Sequence, residues 1–107
     1  MGLATALGPA PAAAASSAPA AAAPSCPYPY VCFIKNDKII GKFKDVTSGW
    51  QPLPSKPKDI TVVNSRRDDV AYIRNTHGGI VCIAPKSSYS TGWTLNAVRI
   101  SSNSSCG

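Results

Sequence analysis

The chain has 107 residues, and its 11 Lys and Arg residues outnumber five Asp and no Glu, for a formal net charge of +6 at pH 7. This length allows one small domain, and the single histidine and few acidic residues provide little of the acid and base chemistry that enzymes use. The cationic side chains lack the interleaved aromatics of a nucleic-acid-binding surface. We therefore expect a binding protein that is not an enzyme and needs no metal or cofactor.

Residues 1–25 read MGLATALGPAPAAAASSAPAAAAPS and are almost entirely small. They offer several A-x-A cleavage options, as an export signal does, but no Lys or Arg precedes Lys35. Two interpretations are open, the remnant of a signal peptide or a flexible Ala/Pro linker. Both place the folded domain at residues 26–107. No strongly apolar run of roughly 18 residues follows, so no membrane span is predicted.

The four cysteines, Cys26, Cys32, Cys82 and Cys106, all lie in the predicted domain. An even number of cysteines in a domain this small is typical of two disulfides. A zinc site is the alternative, but there is no C-x-x-C pair and His77 is the only histidine. Three pairings are possible, of which we favour a local Cys26–Cys32 bridge that leaves Cys82 for Cys106. Disulfides predict an oxidising compartment, and hence a secreted protein.

Short apolar runs separated by Gly, Pro, Asn, Asp and Ser are typical of β-strands. Turns are predicted at Asn36-Asp37, Asn64-Ser65 and His77-Gly78-Gly79, and the prolines after Trp50 exclude a helix there. The sequence therefore predicts an all-β sandwich or barrel, with strands near residues 30–34, 39–40, 60–63, 70–73, 80–84 and 97–100.

The chain also repeats itself, since VCFIKN at 31–36 is followed by VAYIRN at 70–75. Each copy leads to a Gly-Trp pair, Gly49-Trp50 and Gly92-Trp93. A motif of about 40 residues with four strands is a Greek key, whose exposed apolar face a second copy would cover. We predict that Trp50 and Trp93 are matched side chains of the shared core.

The third residues of the two copies, Phe33 and Tyr72, would match in the same way. The repeated order of aromatic, hairpin glycine, tryptophan and late Ser-Ser resembles the double Greek key of βγ-crystallins. Calcium-binding members carry acidic and hydroxyl ligands in one loop. Here Asp68-Asp69 lacks the hydroxyls and Ser101-Ser102 lacks the acidic residues, so we expect no strong calcium site.

A second resemblance comes from Cys26-Pro27 with Val31-Cys32, followed by the W-x-x-L step Trp50-Gln51-Pro52-Leu53. These residues are similar to the opening of exported peptidase inhibitors of the Streptomyces metalloproteinase inhibitor type. The resemblance implies a secreted, monomeric, disulfide-stapled inhibitor with a βγ-crystallin-like fold. Its partner would be an extracellular protease, most of all a metalloprotease.

A rigid inhibitor presents a preformed loop and so loses little conformational entropy on binding. Three segments are candidates: the ring closed by Cys26 and Cys32, the loop Pro52–Pro57 and the polar loop Pro85–Thr91. An apolar metalloprotease subsite would favour Leu53 or Ile83, whereas a trypsin-like enzyme would favour Lys86. The sequence does not rank the three segments.

The alternative function is a crystallin-like toxin or envelope-binding protein that acts through its basic surface. Such a protein would bind an anionic cell wall by Coulomb attraction and would dissociate as ionic strength rises. A structural exported domain without a tight partner is a third possibility. An inhibitor would instead bind its protease near one-to-one stoichiometry and insensitively to salt.

Overall fold

A computed structural model describes residues 25–107, which form eight β-strands and no helix. The prediction of an all-β domain is confirmed, whereas the predicted signal remnant or linker lies, apart from Ser25, outside the described residues. Within those residues, nothing forms a helix long and apolar enough to cross a membrane. In chain order the strands are β1 Val31–Lys35, β2 Lys38–Phe43, β3 Gln51–Pro52, β4 Ile60–Asn64, β5 Val70–Asn75, β6 Ile80–Ile83, β7 Ser87–Thr91 and β8 Leu95–Ser101.

The strands form two four-stranded sheets with the orders β2-β1-β4-β7 and β3-β8-β5-β6. All pairings between these strands are antiparallel. Strands β1–β4 form the first half of the domain and β5–β8 the second. The third strand of each half lies in the other half's sheet, because β3 pairs with β8 and β7 pairs with β4. Each four-stranded sheet therefore contains three strands of one half and one strand of the other.

Turn chemistry predicted from the sequence closes two hairpins. Asn36 and Asp37 have φ values of 51° and 62° between the paired Lys35 and Lys38, as a two-residue type I′ turn requires. Between β5 and β6, the Asn75 side-chain carbonyl accepts hydrogen bonds from the backbone N–H groups of His77 (2.8 Å) and Gly79 (3.0 Å). Both turns are thus built by local interactions that a short sequence can encode.

The core lies between the sheets and follows from the period-two alternation of the strands. In β4, Ile60, Val62 and Asn64 are buried while Thr61 and Val63 are half-buried. Burying each aliphatic side chain of this kind contributes about 1.5–3 kcal/mol. The core cluster comprises Val31, Phe33, Leu53, Ile60, Val62, Ala71, Ile73, Ile83, Leu95, Val98 and Ile100.

The prediction that Trp50 and Trp93 share the core is wrong. Trp50 comes immediately before β3, whereas Trp93 comes after the end of β7. Trp93 is 54% exposed and packs edge-on against His77, with 5.1 Å between ring centroids. Trp50 is half-buried beneath Arg74 and Arg99. The two Gly-Trp pairs are therefore not equivalent positions of a structural repeat.

The aromatic match of Phe33 with Tyr72 is also wrong, by one residue of register. Phe33 pairs with Val62 and is buried in the core, while its counterpart across the second sheet is Ile73, which pairs with Val98. Tyr72 points to the other face and pairs with Arg99. A one-residue slip moves every side chain of a strand to the opposite face of its sheet.

Both predicted disulfides are present, Cys26–Cys32 and Cys82–Cys106, with Cα–Cα distances of 5.9 and 5.8 Å. No cysteine is free in the part of the chain that the structure describes. The first bridge closes a ring beside β1, and the second ties the segment after β8 to the edge strand β6. Both sheets therefore carry a covalent constraint, as an exported domain of this size commonly does.

Candidate functional site

Two of the three side chains predicted to contact a protease lie in the core. Leu53 is 5% exposed and Ile83 is 3% exposed, and both belong to the cluster between the sheets. Either side chain would have to leave the core to enter a protease subsite, at a cost of about 2–3 kcal/mol of burial. Lys86 is exposed. Of the three, only Lys86 is presented at the surface.

Lys86 lies in a short, well-anchored segment before β7. Its backbone N–H donates to the Arg66 carbonyl at 3.1 Å, and its φ of 59° is left-handed. This conformation interrupts the extended backbone that strand-like docking to a partner requires. The residues that follow, predicted as a polar loop, instead form strand β7 paired with β4. Lys86 is therefore an exposed cation at a strand end and not the centre of an extended loop.

The proline loop at residues 52–57 is held at both ends by the segment around β8. Leu53 N–H donates to the Asn96 carbonyl at 3.0 Å, and Leu95 N–H donates to the Pro57 carbonyl at 2.8 Å. Between these anchors Pro54, Ser55 and Lys56 are exposed. The loop is anchored at both ends, but the side chain that it was predicted to present, Leu53, is buried.

The Cys26–Cys32 ring, residues 26–32, has the most extensive support of the three segments. The Ser65 hydroxyl lies 2.8 Å from the Pro27 carbonyl and 2.6 Å from the Tyr30 carbonyl, and Ser65 N–H donates to Tyr30 at 3.1 Å. Arg66 Nη1 donates to the Pro29 carbonyl at 2.9 Å. Three carbonyls of one short ring are thus bound by two consecutive residues that follow β4.

Arg66 is itself held in place by Asp69 and by a second loop. Its Nε donates to Asp69 Oδ2 at 2.7 Å, Nη2 forms an ion pair with the same oxygen at 2.6 Å, and Nη1 also donates to the Lys44 carbonyl at 2.9 Å. Both side chains are largely shielded, which strengthens a charge-assisted contact. Asp69, one of the two acidic residues that were not expected to bind calcium, therefore contributes to the support of the ring.

The ring presents Tyr28 at the surface. The Tyr28 side chain is 54% exposed, and the Arg67 guanidinium stacks on its ring with Cζ 4.3 Å from the centroid. Tyrosine offers a large amphipathic contact area with few rotatable bonds. The ring therefore combines a fixed backbone with an exposed aromatic side chain.

The sequence analysis did not predict that residues 64–66 support the Cys26–Cys32 ring. Asn64-Ser65 was predicted only as a turn, and no role was predicted for Arg66. The i, i+3 spacing of Arg66 and Asp69 is the one local feature that could have indicated a fixed guanidinium. Its acceptors, the Pro29 and Lys44 carbonyls, are distant in sequence and become neighbours only in the folded sheet.

A second exposed apolar surface lies where the edge strands β6 and β7 face each other. Ile80, Tyr89 and Trp93 line this groove, and all three are partly exposed. Nothing in residues 25–107 covers it.

Comparison of the chain with protein-family models, curated proteins and solved structures gave no match. The function is therefore inferred from the contacts of the described residues themselves.

Proposed function

We propose that the chain is a secreted inhibitor of an extracellular peptidase, most of all a metalloprotease, and that it presents Tyr28 from the Cys26–Cys32 ring. The observation that carries this proposal is that the Pro27, Pro29 and Tyr30 carbonyls are all bound by Ser65 and Arg66 while Tyr28 is exposed. An exposed aromatic side chain suits an apolar subsite better than the cationic Lys86 does.

The energetic support for the proposal is the low entropy that the ring has left to lose. Fixing one backbone residue costs about 1–2 kcal/mol, and a flexible loop would lose that amount at several residues when a protease bound it. The ring is already fixed by the disulfide, by Ser65 and by the Arg66–Asp69 ion pair. A protease would therefore bind a loop whose ordering cost is already met by folding.

The proposed fold is a double Greek key of the βγ-crystallin type. Strands β1, β2 and β4 share one sheet, β5, β6 and β8 share the other, and the third strand of each half crosses over. In each half the fourth strand pairs beside the first, which is a feature of a Greek key. The two disulfides fit an oxidising, extracellular compartment. We propose a monomer that acts without catalysing a reaction.

The proposal is tested by titrating the oxidised protein against purified extracellular metalloproteases, trypsin-like and chymotrypsin-like enzymes. We expect one-to-one inhibition of a metalloprotease that changes little with ionic strength. Tyr28→Ala should weaken inhibition at least about tenfold, the equivalent of 1.4 kcal/mol. Tyr89→Ala removes another exposed tyrosine and serves as the matched control, which should inhibit as the parent protein does.

Two results would contradict the proposal. Absence of inhibition across the panel at micromolar concentration would exclude the function. Inhibition that Lys86→Ala abolishes and Tyr28→Ala does not would exclude the ring as the presenting segment. Binding to anionic wall material that is lost as salt rises would support instead the alternative of a basic, envelope-binding protein.

A further inference from the structure

A row of cationic and aromatic side chains crosses the outer face of the β3-β8-β5-β6 sheet. Arg99 on β8 pairs with Tyr72 on β5, and its guanidinium lies 4.6 Å from the Tyr72 ring centroid. The same guanidinium lies 5.6 Å from the ring centroid of Trp50, which precedes β3. Arg99 is therefore positioned between two aromatic rings.

A second arginine, Arg74 on β5, lies against the same tryptophan. Its Cζ is 4.9 Å from the Trp50 ring centroid, and its Nε donates to Asn96 Oδ1 at 3.1 Å. Arg74 pairs across the sheet with Ala97. The guanidinium groups of Arg74 and Arg99 thus both lie against the Trp50 indole ring. The Arg74 guanidinium is also oriented by its hydrogen bond to the Asn96 side chain.

Neither guanidinium has a counter-charge in the described residues. The only ion pair between residues 25 and 107 is Arg66–Asp69, which includes neither Arg74 nor Arg99. Within the same range, Arg99 makes no hydrogen bond through its guanidinium, and Arg74 uses only Nε. Most of the N–H donors of these two forks therefore have no acceptor among residues 25–107.

Stacked arginines can also simply cover a sheet face, as long side chains often do. That role would not favour placing two like charges against one ring, because half-buried like charges repel each other more strongly than charges in bulk water. An anion held between the forks would remove this repulsion. Planar guanidinium forks donate paired hydrogen bonds to phosphate and carboxylate oxygens.

We propose that Arg74 and Arg99, oriented by Trp50 and Tyr72, form a binding site for a phosphate group. A phosphate group offers tetrahedrally arranged oxygens that can accept from two forks, whereas the two oxygens of a carboxylate lie in one plane and suit a single fork. The group could belong to free phosphate or to a phosphodiester, and both share the tetrahedral oxygens that the forks would contact. This site is independent of the Cys26–Cys32 ring and of the proposed inhibition.

The site is tested by NMR titration of the oxidised protein with inorganic phosphate and, in parallel, with dimethyl phosphate. Ionic strength is kept constant with chloride, and the Trp50 indole N–H and the arginine Nε–H resonances are followed. We expect saturable shifts at Trp50, Arg74 and Arg99 in the millimolar range. Tighter binding of inorganic phosphate would indicate a free dianion as the ligand, and equal or tighter binding of the diester would indicate a phosphodiester.

Variants separate a specific site from general attraction to a basic protein. Arg74→Lys and Arg99→Lys keep the charge and lose the planar fork, so each should weaken binding at least tenfold. Arg67→Lys is the matched control, because Arg67 also stacks on a tyrosine, and it should bind as the parent does. No saturable shift with either ligand, or an equal loss in all three variants, would overturn the proposal.

Discussion

At the scale of single residues, the end of β4 organises the loops around the candidate site. Asn64 is 0% exposed, and its Nδ2 lies 2.9, 3.1 and 3.2 Å from the carbonyls of Asp69, Ile83 and Ala84. Its Oδ1 accepts from Arg66 N–H at 3.1 Å. One buried amide therefore fixes the loop that carries Arg66 and Asp69 and the segment that leads to Lys86.

The first prediction concerns this amide. Asn64→Ala leaves buried carbonyls without donors, and we expect it to lower the free energy of unfolding by about 1–3 kcal/mol. The matched control is Asn103→Ala, because Asn103 is exposed and uses only its backbone groups in hydrogen bonds. Denaturant unfolding of the oxidised variants measures the difference. Equal stability of the two variants would show that Asn64 does not hold these loops.

At the scale of elements, the register of β5 decides which side chains meet between the sheets. Val31 pairs with Asn64 in the first half, and Ala71 pairs with Ile100 in the second. The sequence alignment by identity instead matches Val31 with Val70. Val70 and Ala71 are both fully buried and do not by themselves distinguish the two phases of the strand. The next two residues do, because Ile73 lies in the core whereas Tyr72 is half-buried.

The second prediction tests this register. Phe33→Ala removes a core ring and should cost about 3–5 kcal/mol of stability. Tyr72→Ala removes a ring of similar size from the outer face, where the side chain is half-buried, and should cost clearly less. Thermal or denaturant unfolding gives both values. Equal costs would restore the equivalence of Phe33 and Tyr72 that the sequence repeat indicates.

At the scale of the whole molecule, stability is shared between a small core and two covalent bridges. The Cys26–Cys32 bridge spans a sequence separation of 6, and the Cys82–Cys106 bridge spans 24. A bridge that closes a longer loop removes more entropy from the unfolded chain. The two bridges should therefore contribute differently, although both lie in the same compact domain.

The third prediction follows from these loop lengths. The double substitution Cys82→Ser with Cys106→Ser should destabilise the protein by about 1 kcal/mol more than Cys26→Ser with Cys32→Ser. Cys26→Ser with Cys32→Ser should instead reduce the proposed protease inhibition more, because it releases the ring that presents Tyr28. Unfolding midpoints and inhibition titrations of the same two proteins measure both effects. The reverse order of stability would contradict the loop-length argument.

Local sequence determined six of the eight strands in residues 25–107, the two hairpin turns described above and the Cys26–Cys32 bridge, whereas β3 and β7 were not predicted. The Asn36-Asp37 turn and the period-two runs act over a few residues, and a bridge of sequence separation 6 is favoured by proximity alone. These features depend on neighbours along the chain. A short stretch of sequence therefore predicts them without knowledge of the rest of the fold.

The tertiary structure alone decided which side chains of each element became buried, presented or paired. Leu53 was expected at the surface and is buried, whereas Trp93 was expected in the core and is exposed. The exposure of an apolar side chain depends on whether another sheet covers it. Arg66 reached the ring, and Arg99 reached Tyr72, across strands that are distant in sequence. Such contacts follow from the pairing order and register of eight strands, and a period of two leaves both registers open until the strands pair.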